Sequence, residues 1–394
     1  MNIELRGITK RFGAVLANDA ISLAVPPAAI QGILGENGAG KSTLMKVFSG
    51  FIQPDSGQIL FDGEPIHVAS PADAIRLGIG MLHQDPLDFP PFQVIDDFLL
   101  GRPGGLIPDR KRALREFRDL SARFDFSLSP EARVASLTVG ERQQLEILRL
   151  LWLGAKVLIL DEPTTGISQA QKEKLFAALR KLAAGGMTVF FVSHKLEDVR
   201  ALCGRAAVLR QGALVGEMDA PFDDGRLVRM MFGKEVPLAE KTRSSPGKKV
   251  LTVKTGAIDS LRLRVKDVNL EVRAGETIGI AGMEGSGQDL FLRACGGLVE
   301  PAGGQFCLDE DERPMNGSTY HDYMRSGVTY LPAARLEKGL VPGLSLSEHY
   351  ALAEKPRGVF IDRAAAAIRS AERIATYNIK GRPDSAVESL SGGN

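Results

Sequence analysis

Gly35, Gly38 and Gly40 lead into Lys41 and Ser42 in the stretch Gly35-Glu36-Asn37-Gly38-Ala39-Gly40-Lys41-Ser42-Thr43, which fits GxxxxGK[ST] and follows the apolar run Ile30–Leu34. This spacing suits a nucleoside triphosphate. The glycines let successive backbone N–H groups turn inward around phosphate oxygens, and the start of a following helix adds positive potential. Lys41 then reaches the β- and γ-phosphates, and the Ser42 hydroxyl is a ligand for Mg²⁺. A second apolar run, Val157 to Leu160, ends on Asp161 and Glu162. Asp161 is placed to hold the Mg²⁺ shell, and Glu162, one residue on, to orient and deprotonate an attacking water. The combined chemistry is triphosphate hydrolysis.

Several elements must carry these groups. The runs at 30–34, 157–160 and 189–192 lie between helical patterns and read as buried parallel strands. A helix-rich stretch from about Asp109 to Leu153 interrupts them, and within it Leu145, Leu148, Leu151 and Trp152 recur at helical spacing after Gly140. The basic run Arg110 to Arg118 reads most simply as the solvated face of that insertion, with a membrane-facing role as the alternative. The fold class expected is α/β, a β-sheet core with a helical insertion.

The pattern occurs twice. GILGENGAGKSTLMKVF from Gly32 is echoed by GIAGMEGSGQDLFLRAC from Gly279, with Gly35, Gly40 and Gly50 matched by Gly282, Gly287 and Gly297 at a constant offset of 247 residues. GIGMLHQD from Gly78 is echoed by GVTYLPAA from Gly327, and SLTVGE from Ser136 by SLSGGN from Ser389. The chain thus divides into a first domain over residues 1–235, a polar linker over 236–249 and a second domain over 250–394, the second expected to be incomplete because its echo stops at its SLSGGN.

Gly35 to Ser42, Gln84, Leu137 to Glu141, Leu160-Asp-Glu-Pro-Thr164 and Ser193-His194 stand in the order and spacing of an ATP-binding cassette, and the chain resembles the ATPase subunit of an ABC transporter. The resemblance covers both halves. It implies two P-loop NTPase cassettes, ATP and Mg²⁺ as cofactors, Gln84 contacting Mg²⁺ and water and sensing a transmembrane partner, and His194 contacting the γ-phosphate. It further implies that Phe12 stacks on adenine; taken alone, Phe12 also suits a core position, and His194 a structural histidine. The tandem arrangement with an LSGGN signature is similar to the ATPases of bacterial importers for simple sugars and nucleosides. The GMEGSGQ form of the second loop favours nucleosides.

The two halves are not equivalent. Gln288 and Asp289 replace Lys41 and Ser42, which removes a cation and adds a carboxylate where phosphates would lie. Ala333 replaces Gln84, and no aromatic residue between Val236 and Leu290 replaces Phe12. Yet Leu390 to Asn394 is closer to LSGGQ than Leu137 to Glu141 is. In the family two cassettes pair head to tail, so one intact site is expected, in which Ser391, Gly392 and Gly393 complete the triphosphate site of Lys41, Asp161, Glu162 and His194. Ser168 stands where most cassettes have Asp.

Composition bounds the rest. With 394 residues, 44% hydrophobic and 25% charged, and 49 Lys+Arg against 48 Asp+Glu, the chain is long enough for two or three ordinary cores and its charge argues for no nucleic-acid partner. Cys203, Cys295 and Cys307 are scattered without metal-ligand spacing, as expected of reduced thiols. Neither a leader nor a spanning segment is apparent, so the expected place is peripheral, on the cytoplasmic face of the inner membrane, with integral-membrane permease subunits and an extracytoplasmic solute-binding protein as partners. The alternatives are a ribosome-associated tandem cassette factor and a regulatory ATP sensor with weak or no hydrolysis.

Overall fold

The computed structural model describes the chain except residues 14, 84–87, 102–108, 234–245, 261–262, 283–285, 333–338, 354–360, 380 and 391–394. Gln84, Ala333, Ser391, Gly392 and Gly393 therefore lie outside the described residues. Two compact units emerge, Met1–Pro237 and Leu238–Asn394.

Unit one is layered. Strands β1 (Ile3–Phe12), β2 (Val15–Val25), β4 (Ser56–Phe61) and β5 (Glu64–Ile66) form an antiparallel sheet in the order β2-β1-β4-β5. The central sheet takes β3 (Ile30–Leu34), β6 (Ile79–Leu82), β7 (Val157–Asp161), β8 (Thr188–Ser193), β9 (Arg205–Arg210) and β10 (Ala213–Asp219) in the order β10-β9-β3-β8-β7-β6. Its first five members in sequence run parallel, and β10 turns back antiparallel to β9. Helices α1 (Lys41–Phe48) and α2 (Pro71–Arg76) pack on the side of the antiparallel sheet. On the other side lie α3 (Val94–Phe98), α4 (Arg110–Phe124), α5 (Val139–Trp152), α6 (Gln169–Ala184), α7 (Leu196–Leu202) and α8 (Asp224–Phe232).

The period-two geometry of a strand decides which side chain meets which layer. Along β7, Leu158 and Leu160 enter the helical core, whereas Val157 and Ile159 enter the core shared with α1. Asp161 continues the second series, so its carboxylate lands on the α1 side. Both faces are covered, which is why these strands read as continuous apolar runs and not as alternating ones. Each fully buried Leu, Ile or Phe here contributes roughly 1.5–3 kcal/mol relative to exposure.

The helical insertion is fastened at its ends. Thr138 caps α5 in a reciprocal box, its hydroxyl accepting from Glu141 N at 3.3 Å and its own N–H donating to Glu141 Oε2 at 2.8 Å. Ala113, Phe117, Ser121 and Phe124 form the inner stripe of α4, and the basic residues face out, with Arg110 paired to Asp96 and Arg112 to Glu116 at 2.7 Å.

Unit two repeats the antiparallel sheet: β11 (Lys249–Asp259), β12 (Arg264–Arg273), β13 (Gly303–Leu308) and β14 (Arg313–Pro314) stand in the order β12-β11-β13-β14. Helix α9 (Gln288–Cys295) occupies the place of α1, and α10 (Tyr320–Arg325) that of α2. Two further helices, Leu346–Ala353 and Arg363–Thr376, complete the unit's described elements of that kind. Residues 277–281 and 328–331, the counterparts of β3 and β6, belong to no strand. Among the described residues no helix is long and apolar enough to cross a membrane.

Candidate nucleotide site

The C-terminal ends of β3, β8 and β7 lie side by side, because β8 pairs with both neighbours, Leu34 opposite Ser193 and Val192 opposite Asp161. The residues after each strand are therefore delivered to one edge of the sheet: the glycine loop after β3, Glu162 after β7 and His194 after β8.

The loop's glycines are required by its geometry. Gly40 has φ 97° at the start of α1, and a Cβ there would stand 2.2 Å from the carbonyl oxygen of Ala17. At Gly35 a Cβ would stand 2.3 Å from Leu209 O. Glu36, Asn37 and Gly38 are exposed, and nothing approaches the open side of Gly38. Ala39 is buried beneath them, and Thr43 is half-buried in the first turn of α1.

Lys41 is only 5% exposed, and its Nζ donates to the carbonyls of Gly35 at 2.8 Å and Glu36 at 2.9 Å. The ammonium thus braces its own loop. Burial pushes Lys41 below the ordinary lysine range, opposed by the carboxylates of Glu162, Asp161 and Glu36. Ser42 Oγ donates to Asp161 Oδ1 at 3.1 Å, and burial pushes the Asp161 carboxyl above its ordinary range, with the Ser42 hydrogen bond opposing. A hydroxyl and an enclosed carboxylate side by side are hard oxygen donors of the kind Mg²⁺ takes while sharing substrate phosphates. Among the described residues no three His, Cys, Asp or Glu converge as an all-protein metal cage would need.

Glu162 leaves β7 with φ 50°, a backbone region uncommon for a non-glycine residue. Its N–H donates to Val192 O at 3.1 Å, and its Oε1 lies 3.0 Å from His194 Nδ1. The left-handed turn takes the carboxylate off the strand's alternation and onto the imidazole. Five sequence-selected residues, Lys41, Ser42, Asp161, Glu162 and His194, are thus brought together. Phe12 ends β1 and is 47% exposed, not core, with Lys10 Nζ 5.6 Å from its ring centroid. The signature segment of unit one is held by Gln171, whose Nε2 donates to Thr138 Oγ1 at 3.1 Å, and Ser168 caps the same helix, α6.

Two further residues went unnoticed in the sequence. Asn18 is fully buried and donates from Nδ2 to Gly40 O at 3.0 Å, linking the antiparallel sheet to the glycine loop. Its signal is an amide among the inward-facing apolar positions of β2. Asp198, four residues past His194, is the other.

In unit two α9 begins from Gly287 at φ 112°, as α1 begins from Gly40. Asp289 accepts a hydrogen bond from Tyr330 Oη at 2.9 Å, and the Gln288 amide lies so close to Gly282 that a Cβ there would be 2.3 Å from Nε2. The position of Lys41 is taken by this uncharged amide.

A glycine loop closing on a buried lysine, with a strand-end carboxylate pair beside it in a parallel sheet, defines a P-loop nucleotide-hydrolase cassette. The ABC transporter family model matches residues 18–165 and 265–394, and the chain belongs to that family of ATP-binding proteins. It is similar over its full length to the ribose import ATP-binding protein RbsA 1 of Rubrobacter xylanophilus, 40% identical and spanning 79% of that protein. The nucleoside import ATP-binding protein NupA of Lactococcus lactis is 33% identical, again over the whole chain and 79% of the relative. The guanosine import ATP-binding protein NupO of Bacillus subtilis is 36% identical over 89% of the chain and 69% of the relative. Among solved structures, an ABC-transporter ATP-binding cassette in its ADP conformation aligns with TM-score 0.54 over 59% of this chain and all of that one, at 24% identity, a likeness of fold.

Proposed function

We propose that this chain is the ATP-hydrolysing motor of a bacterial importer, acting with integral-membrane permease subunits at the cytoplasmic face of the membrane and carrying nucleosides, with simple sugars as the alternative solute. The observation that carries the motor reading is the convergence of Lys41, the Ser42–Asp161 pair and the Glu162–His194 pair on one sheet edge. The nucleoside preference rests on Gln288 in the second loop; the relatives' names include both solute classes.

In this reading Lys41 exchanges its two carbonyl acceptors for β- and γ-phosphate oxygens, and the N–H groups of residues 35–43 cradle the phosphates. Phe12 offers its exposed face to adenine. Ser42 and Asp161, with Gln84, hold Mg²⁺, which when bound neutralises charge on the phosphates. Glu162 orients the attacking water and takes its proton, while His194 fixes the Glu162 carboxylate by the 3.0 Å contact and stands ready for the γ-phosphate. Ser391, Gly392 and Gly393 supply the family signature that completes a paired cassette. An extracytoplasmic binding protein hands solute to the permease.

The test is uptake of labelled guanosine and labelled ribose by source cells carrying either the intact gene or Lys41→Ala. Loss of guanosine uptake alone supports the nucleoside reading, and loss of ribose uptake alone replaces it with the sugar reading. Unchanged uptake of both solutes removes the importer assignment for these substrates.

A further inference from the structure

Asp198 lies on α7 with a fully enclosed side chain. Its two carboxylate oxygens are divided between two elements. Oδ2 accepts from Thr164 Oγ1 at 2.6 Å, and Oδ1 accepts from Lys172 Nζ at 2.9 Å. Thr164 belongs to the turn directly after Glu162, and Lys172 to the first part of α6. From the opposite direction Lys195, the neighbour of His194, donates from Nζ to Thr164 O at 3.4 Å.

This arrangement bears on the strained residue. Glu162 at φ 50° is held on one side by its N–H to Val192 O, and on the other by Thr165 N donating to its carbonyl at 3.2 Å. A left-handed non-glycine residue persists only when its surroundings over-determine it. The second of these bonds is useful only while the turn Pro163–Thr165 stays in place, and Thr164 is the member of that turn with a buried, charge-assisted hydrogen bond. One carboxylate therefore ties the segment after Glu162 to the helix after His194, the two ends of the 3.0 Å contact between them. Both oxygens of this enclosed carboxylate are satisfied, which offsets the cost of taking it out of water.

We infer that Asp198 is a positioning residue for hydrolysis: through Thr164 it holds Glu162 in its left-handed conformation and so keeps the Glu162 carboxylate on His194. The inference rests on the reading of Glu162 as the base. It requires that loosening Asp198 lower the rate of the chemical step while nucleotide binding, which runs through Lys41 and the glycine loop, stays intact.

The experiment compares the full chain with Asp198→Ala, Thr164→Val, the double variant and Glu162→Gln. The readouts are single-turnover hydrolysis of labelled ATP with Mg²⁺, equilibrium ATP binding and amide hydrogen exchange. Asp198→Ala and Thr164→Val are each expected to slow hydrolysis at least about tenfold, within the roughly 10²- to 10⁴-fold that a general base supplies. ATP affinity should move less than about threefold, and the double variant should be no slower than the slower single one, because the two residues act as one unit. Exchange at the Thr165 amide should quicken, with β7 and β8 unchanged. If both variants keep wild-type hydrolysis and Thr165 exchange while merely melting earlier, the inference is overturned. It is equally overturned if affinity falls in step with rate. Should Asp198→Ala not fold, Thr164→Val decides alone, since it keeps the side chain's shape. If Glu162→Gln hydrolyses like wild type, the base reading fails, and Thr165 exchange still reports separately whether Asp198 fixes the turn.

Discussion

Ile33 and Ile280 are the same residue at the same place in a repeated sequence, yet Ile33 is completely buried and Ile280 is 41% exposed. Leu82 and Leu331 make a second such pair, at 0% and 79%. In unit one β8, β7 and β9 flank the strands that carry these residues, with helices on one face and the antiparallel sheet on the other. In unit two residues 277–281 and 328–331 have no strand beside them among the described residues. Apolar, β-branched runs are thus permissive for a parallel strand but do not make one. Strand geometry comes from neighbours that take the backbone hydrogen bonds and cover both faces.

The contrast extends to chemistry, where single substitutions test it. The largest expected effect is Glu162→Gln, which should keep ATP binding and slow hydrolysis by about 10²-fold or more, whereas Lys41→Ala should abolish tight binding; equilibrium binding beside turnover separates them. Next comes stability at the paired isoleucines. Ile33→Ala should cost unit one roughly 2–5 kcal/mol in denaturant unfolding, and Ile280→Ala below about 1 kcal/mol, since little apolar surface is uncovered. Equal costs would mean that residues 277–281 are covered in solution after all.

A smaller effect concerns Asp161. Its folded pKa is raised by burial, so the folded chain holds this proton more tightly than the unfolded chain does. Stability is then lost as pH rises from the ordinary carboxylate value through the raised one, and the loss is complete above it. Asp161→Asn should therefore make the nucleotide-free protein more stable at pH 7 by roughly 1 kcal/mol, the scale of one desolvated polar group, and the gain should vanish in acid. Thermal melts across pH read this directly. The smallest expected change is for Gln288→Lys, which should leave the nucleotide stoichiometry at one per chain because Asp289 remains; a second bound ATP would show that the missing ammonium alone disabled the loop.

Much of this was legible in the sequence. The three apolar runs, the glycine loop, the strand-end carboxylates and the helix after Gly140 lie where periodicity and spacing place them, because each is a local pattern. What escaped is non-local. The Glu162–His194 contact depends on a left-handed residue whose φ no propensity announces. Asp198 and Thr164 are 34 residues apart, joined only because β7 and β8 are adjacent. Asn18 meets Gly40 across 22 residues and two sheets. The antiparallel sheets, whose long strands β1, β2, β11 and β12 are interrupted by register shifts that break the alternation, left the faintest trace of all.

The left-handed glycines that begin α1 and α9 have a consequence for how such chains diverge. Gly40 is demanded by the Ala17 carbonyl, and Gly287, at φ 112°, by Val265, whose Cγ2 would stand 2.4 Å from an added Cβ. Both demands come from the sheet behind the loop and are indifferent to what the loop binds. Lys41 and Ser42 are under no such backbone demand, although Lys41 also braces the Gly35 and Glu36 carbonyls of its own loop. After a duplication, mutation can erase the second pair without unfolding the domain, while the glycines stay pinned by the architecture. The glycine pattern is thus a fossil of shape, and the two residues after it are the record of use.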